Sequence, residues 1–203
     1  MIRAFLAVEL SPGLRAELAA LQQELKQSME PGMKRDMRIS WVQPAKMHLT
    51  IKFLGDMDEQ VIDPLRDEVE HAIESQPSVY VPLERLGAFP RPQSPRVLWV
   101  GPSENWEQGV EGKRVAEIHG VIEQACEGLG FLREAKPFSP HLTLARMKTG
   151  ERRIGAALAK SGVLDRPLSL ASLAVGSVVL LKSDLKPTGS VYTELWKVQL
   201  KAS

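Results

Sequence analysis

The tetrapeptide His48-Leu49-Thr50-Ile51 returns 93 residues later as His141-Leu142-Thr143-Leu144, and this recurrence constrains the chain more than any other feature. With four histidines and five threonines in 203 residues, chance placement gives about 0.1 His-x-Thr tripeptides. A single match is weak. Two matches, each followed by an aliphatic residue and each opening an expected strand, point to a duplication. The same shift carries the first expected helix onto the third and the second onto the fourth. The duplication is visible as pattern, not identity.

The spacing has a physical meaning. Side chains on a strand alternate faces. Leu49 and Ile51, like Leu142 and Leu144, can anchor a strand in a core while His and Thr stand together on the other side. A pseudo-twofold axis would then bring two imidazole–hydroxyl couples to opposite walls of one cleft.

Around the motifs, Arg3–Leu10 alternates as a first strand. Ser11-Pro12 is a helix start with a hydroxyl cap and Pro at the first position, and Leu14, Leu18, Leu21 and Leu25 recur at helical spacing. Further strands are expected at Arg38–Val42, Met47–Leu54, Val79–Leu86, Arg96–Val100, Leu168–Val175, Ser177–Lys182 and Tyr192–Leu200. Helices are expected at Glu59–Ser75, within Trp106–Leu129, and near Glu151–Lys160. Gly87–Pro95, with three prolines, reads as the loop between halves. Runs of strands without intervening helices argue for α+β rather than α/β. The expected architecture is bilobal: two pseudo-twofold-related lobes of mostly antiparallel sheet, helices outside, a cleft in the centre. Residues 1–203 would form one bilobal domain with approximate halves 1–93 and 94–203.

Composition narrows the class. Hydrophobic residues are 43% and charged residues 25%, as in a packed soluble domain. No apolar run reaches the roughly 20 residues of a membrane span, and the apolar N-terminus is broken by Glu9 without a cleavage signal. One cysteine, Cys126, allows no internal disulfide and no thiolate zinc cage; a packed, inert thiol in a cytoplasmic protein is expected. A formal net charge of +1 disfavours general nucleic-acid coating.

Two facing imidazoles suit hydrolysis of a phosphodiester. One takes a proton from water and the other gives one to the departing oxygen, and histidine supplies both states near neutral pH. Thr50 and Thr143 can donate to phosphate oxygens, and a fixed cation would stabilise growing charge. Lys52 shares strand parity with His48 and Thr50. Arg146 is odd relative to His141 and needs a bulge or strand end to join the same face. No metal is expected: two histidines are half of a tetrahedral shell, and no His-x-His or His-x-x-x-His spacing exists. His71 and His119 lie in acidic helices and read as solvent-facing. Phe5, Trp41, Phe138 and Tyr192 are the candidate platforms for a base, although a core position is the commoner role for each.

These motifs, with Arg3-Ala4-Phe5-Leu6-Ala7-Val8, Trp41-Val42, Lys52-Phe53-Leu54-Gly55, Pro140, Ala145-Arg146, Leu180-Leu181-Lys182-Ser183 and Gly189-Ser190-Val191-Tyr192, resemble the 2H phosphoesterases. The nearer likeness is to their RNA 2′,3′-cyclic phosphodiesterase branch, also called 2′-5′ RNA ligases. The resemblance implies a bilobal fold and hydrolysis of RNA 2′,3′-cyclic phosphate ends to 2′-phosphomonoesters, with no cofactor. It implies His48 as proton donor, His141 as proton acceptor, and Thr50, Thr143 and Arg146 on the phosphate. Lys52, Phe5, Trp41 and Tyr192 would line the substrate. Reverse 2′-5′ ligation is a secondary expectation. The expected partner is RNA with a cyclic end, or a short nucleotide, met by a monomer without an obligate protein partner or membrane. Two alternatives stay open: a phosphoesterase for small cyclic nucleotides or cyclic ADP-ribose phosphate, and a non-catalytic RNA-end-binding module.

Overall fold

A computed structural model describes residues 1–187 and 189–202. Among these residues ten strands and five α-helices follow one another: β1 (Ile2–Glu9), α1 (Pro12–Met29), β2 (Arg38–Trp41), β3 (His48–Met57), α2 (Ile62–Ile73), β4 (Val79–Val81), β5 (Arg85–Phe89), β6 (Val97–Gly101), α3 (Glu104–Gln108), α4 (Val110–Gly128), β7 (Leu142–Thr149), α5 (Glu151–Ser161), β8 (Leu173–Val175), β9 (Ser177–Lys186) and β10 (Gly189–Gln199). Helix α1 starts where Ser11 Oγ accepts the Leu14 amide at 3.2 Å, with Pro12 in its first turn. All strand pairings between these elements are antiparallel, so the chain is α+β as expected.

Eight strands form one sheet in the order β10-β9-β1-β3-β7-β6-β5, with β2 also on β7; β4 and β8 pair apart. The alternation of β1 shows how the sheet sorts its residues. Ile2, Ala4, Leu6 and Val8 join the main core with Leu14, Leu18, Leu21 and Leu25 of α1. Phe5 and Ala7 turn to the other face, where they pack with Val179 and Leu181. Burial of each such aliphatic side chain contributes roughly 1.5–3 kcal/mol before entropy is counted.

The sheet does not divide at residue 93. Strands β2 and β5, from the first half of the sequence, lie on the second motif's side, while β9, from the second half, pairs with β1 and carries β10 on its outer edge. The two sides meet where β3 and β7 touch through one residue pair, Leu49 opposite Leu142. Beyond that pair β7 turns its edge to β2, from Ala145 to Thr149. The expected strand Val79–Leu86 is two strands in two sheets, broken at Pro82, which has no amide to give a ladder. Gly87–Phe89 is strand rather than loop, and of Leu168–Val175 only Leu173–Val175 is strand.

Lys52 does not face the cleft. It is fully buried, and its ammonium donates to both Glu123 carboxylate oxygens at 2.8 and 2.9 Å and to the Leu132 carbonyl at 2.8 Å. The reason is a register shift between β1 and β3, where Leu6 opposes Lys52 but Ala7 opposes Thr50. The extra residue reverses parity, so Ile51 and Lys52 are both buried and Phe53 takes the outward place. Glu123 also accepts the Glu134 amide at 3.2 Å. The pair therefore ties β3, α4 and the segment 132–134 together. Removing one partner of a buried ion pair strands the other. Glu123→Leu is expected to lower unfolding free energy by about 3–5 kcal/mol, read from urea denaturation, and Lys52→Met added to it should restore much of the loss.

Candidate active site

The Leu49–Leu142 pair builds the site. In an antiparallel pairing the flanking residues oppose one another, so Thr50 stands across from His141 and His48 across from Thr143. Both leucines are buried, at 1% and 0% exposure, which turns their neighbours to the opposite face. All four side chains line one cavity of about 340 Å³. They rise from one continuous sheet, not from the walls of two separate ones.

Arg146 lines the same cavity. A register shift between β6 and β7 sets Trp99 opposite Thr143 and Leu98 opposite Ala145. Leu144 and Ala145 are both buried, and Arg146 comes round to the face of His141 and Thr143. This is the bulge that Arg146 needed. The carbonyl of Leu144 accepts from the Val42 amide at 2.9 Å and from the buried Gln22 side chain at 2.8 Å. On the first motif's side His119 packs beside β3, its Nε2 3.7 Å from Glu123 Oε1. His119 is thus no solvent-facing residue; its side chain is 11% exposed and stacks on Phe138 at 4.3 Å. His71 does face solvent, 84% exposed. The bulges make Phe53 the positional counterpart of Arg146, each five residues after its histidine.

Each imidazole is fixed twice. His48 Nδ1 lies 2.9 Å from the Lys46 carbonyl, and His141 Nδ1 lies 2.8 Å from the Ser139 carbonyl. A carbonyl only accepts, so Nδ1 carries the proton and Nε2 of the neutral ring is left with its lone pair. Aromatic rings flank both. Phe5 is 4.7 Å and Tyr192 5.4 Å from His48, and Phe89 is 5.0 Å and Trp99 6.1 Å from His141. Burial pushes both imidazoles below their ordinary pKa, with the Arg146 guanidinium adding to the effect and the carbonyl bonds opposing it.

Of the other expected lining residues, Phe5 and Tyr192 border the cavity. Phe5 is only 4% exposed and forms a wall behind His48. Trp41 does not reach the cavity. Alternation along the chain sends its neighbour Val42 there, and Trp41 faces Met33, Met37 and Lys26, whose ammonium lies 5.2 Å from the ring. Sequence reasoning missed Arg3 and Lys46, which border the cavity, and Phe89 and Trp99 behind His141. Phe53 could have been found by carrying the Arg146 offset back onto the first motif. Trp99 packs over Gly87, where an added Cβ would meet the indole at 2.1 Å. Among the described residues no group of three or more His, Cys, Asp and Glu is placed to hold a metal ion, and no helix is long and apolar enough to cross a membrane.

A profile of the family described as LigT like Phosphoesterase matches residues 8–99 and 109–192. The chain belongs to this family. Among its relatives is the RNA 2′,3′-cyclic phosphodiesterase of Methanothermobacter thermautotrophicus, 31% identical over 194 residues that cover 96% of each chain. The RNA 2′,3′-cyclic phosphodiesterase of Thermotoga maritima is 28% identical and covers 98% of this chain and 96% of its own. In three dimensions this LigT-like chain superposes on TT0787 of Thermus thermophilus with a TM-score of 0.73, 26% identity and full coverage of both chains. Escherichia coli LigT complexed with 3′-AMP shares the fold, with a TM-score of 0.72, 21% identity and 98% coverage of both chains.

Because Arg146 disfavours a second positive charge nearby, Arg146→Ala should move both imidazole pKa values upward. Imidazole NMR titration of the wild type should show His48 and His141 protonating below the ordinary histidine range, and of the variant, closer to it. A downward shift or none would mean that the guanidinium does not act on the rings.

Proposed function

We propose that the chain hydrolyses 2′,3′-cyclic phosphate ends of RNA to 2′-phosphomonoesters. The observation that carries the reading is the single Leu49–Leu142 pairing, which sets two imidazoles, two hydroxyls and one guanidinium around one small cavity. Family membership and the activity named for its relatives support the substrate. The two sides of the sheet act as two lobes of one domain, with substrate held where they meet.

In this mechanism the neutral His141 ring takes a proton from water through Nε2 as the water oxygen bonds to phosphorus. The bond from phosphorus to O3′ breaks, and protonated His48 gives its proton to O3′. The 2′ ester remains. Thr50 and Thr143 donate to nonbridging oxygens, and Arg146 stabilises the charge that grows on them. Arg146 has no carboxylate partner among the described residues, so its charge is directed at the cavity. The assignment of donor to His48 and acceptor to His141 follows the family pattern. The aromatic flanks exclude water from the rings, and the Nδ1 bonds hold each Nε2 ready without reorganisation.

The reactive form has one ring protonated and one neutral. Both pKa values are lowered, so this form is most populated on the acid side of the ordinary histidine value, and kcat/KM should follow a bell centred there. His48→Ala and His141→Ala should each lower kcat by about 10²–10⁴-fold while the fold survives by circular dichroism. An oligoribonucleotide with a 2′,3′-cyclic end should give only the 2′-monoester by ³¹P NMR, with undiminished rate in EDTA. A 3′-monoester product would reverse the leaving group, and loss of rate in EDTA would overturn the two-imidazole mechanism.

A further inference from the structure

We infer that the groove beside the His48–His141 cavity, floored by Phe53, Phe89 and Phe138, binds the nucleotide that precedes the cyclic-phosphate end, so that the protein takes oligonucleotides in preference to mononucleotides. The inference rests on the RNA-end reading above. The groove is a second cavity of about 640 Å³ that shares Thr50, Phe53 and His141 with the first. The terminal ribose carries the cyclic phosphate on O2′ and O3′, and a chain continuing from its O5′ across these shared residues enters the groove.

The two cavities differ in chemistry. The first carries Arg3, Lys46 and Arg146 beside the hydroxyls and is suited to the reacting phosphate. The second has an aromatic and proline floor, Phe53, Phe89, Pro90, Pro137 and Phe138, with Arg96 and Lys136 at its rim. Flat apolar faces with cations outside them match a base and the phosphate that links it. Arg96 and Lys136 are exposed and have no carboxylate partner among the described residues. One carboxylate, Glu134, lies on the wall, 3.5 Å from the Phe53 amide. It marks an edge that phosphate would avoid.

The floor is held in place before any ligand arrives. Phe89 stacks on Trp99 at 5.1 Å and Phe138 on His119 at 4.3 Å. The wall segment is tied by the Lys52 bond to the Leu132 carbonyl and the Glu123 bond from the Glu134 amide. Phe53, by contrast, is 62% exposed. The bulge that buries Lys52 places an apolar ring in solvent, at the rim common to both cavities. A preformed platform loses little order on binding.

The test compares adenosine 2′,3′-cyclic phosphate with the dinucleotide ApA bearing a 2′,3′-cyclic end. The expected result is a kcat/KM at least tenfold higher for the dinucleotide, within the roughly 5- to 150-fold that one stacked base supplies. In Lys136→Ala and in Phe138→Ala the preference should fall severalfold, mainly through KM for the dinucleotide. Lys136 is exposed, so its variant should keep the fold even if Phe138→Ala does not. Equal kcat/KM for the two substrates, or a preference untouched in Lys136→Ala, would overturn the inference. A concentration-dependent dimer weakened by Lys136→Ala, without length preference, would assign the groove to a second copy and overturn it too. If neither substrate is hydrolysed, the proposed function fails instead. Binding to His48→Ala protein by calorimetry then decides the groove separately: tighter dinucleotide supports it, equal affinities overturn it.

Discussion

One β-bridge organises the molecule. Leu49 and Leu142 are buried against the helices, and everything chemical about the two motifs follows from where that burial turns their neighbours. A one-residue slip would send His48, Thr50, His141 and Thr143 into the core and the leucines into water. The hydrophobic demand of two side chains therefore enforces the geometry of four polar ones. The bulges extend the arrangement, since a regular ladder would bury Arg146 and expose Lys52. The bulge in β7 frees a carbonyl that a helix side chain answers. Gln22 of α1 does this for Leu144.

The site's electrostatics come from economy of charge. Among the described residues no carboxylate lines the His48–His141 cavity, which leaves Arg3, Lys46 and Arg146 uncompensated there. Burial among aromatic rings disfavours the charged form of each imidazole, while the carbonyl bonds favour it. An entering phosphate supplies the negative charge that favours protonating one ring, so the substrate helps create its own acid. The lone thiol, beside the Lys52–Glu123 pair, is withdrawn from chemistry: burial raises the Cys126 pKa to about 12.

Much of this is legible in the sequence, because it depends on local rules. Ser11-Pro12 announces α1, the His-x-Thr spacing announces a shared face, and the odd parity of Arg146 demands a bulge. What stays hidden depends on partners distant in the chain. Lys52 follows the parity of His48, and only its displaced register against β1 shows it turning inward to Glu123. Trp41 sits beside the first motif in sequence, yet alternation directs its ring to Lys26 and Val42 to the cavity. His119 looks like one more polar residue on an acidic helix, since nothing in helical spacing reveals that Phe138 stacks on it. Strand order is equally invisible, because periodicity tells which residues face inward but not which strands meet.

That strand order makes the two halves of the sequence depend on one another. Each repeat lends strands to its twin: β2 and β5 complete the layer around β7, and β9 and β10 shield the edge of β1. A fragment severed in the Pro90–Pro95 segment would leave β1 without its outer neighbours and β7 without its own. Neither half holds its sheet neighbours by itself. The two halves of the sequence share one sheet, so cooperative assembly of both is the condition under which either histidine is in position.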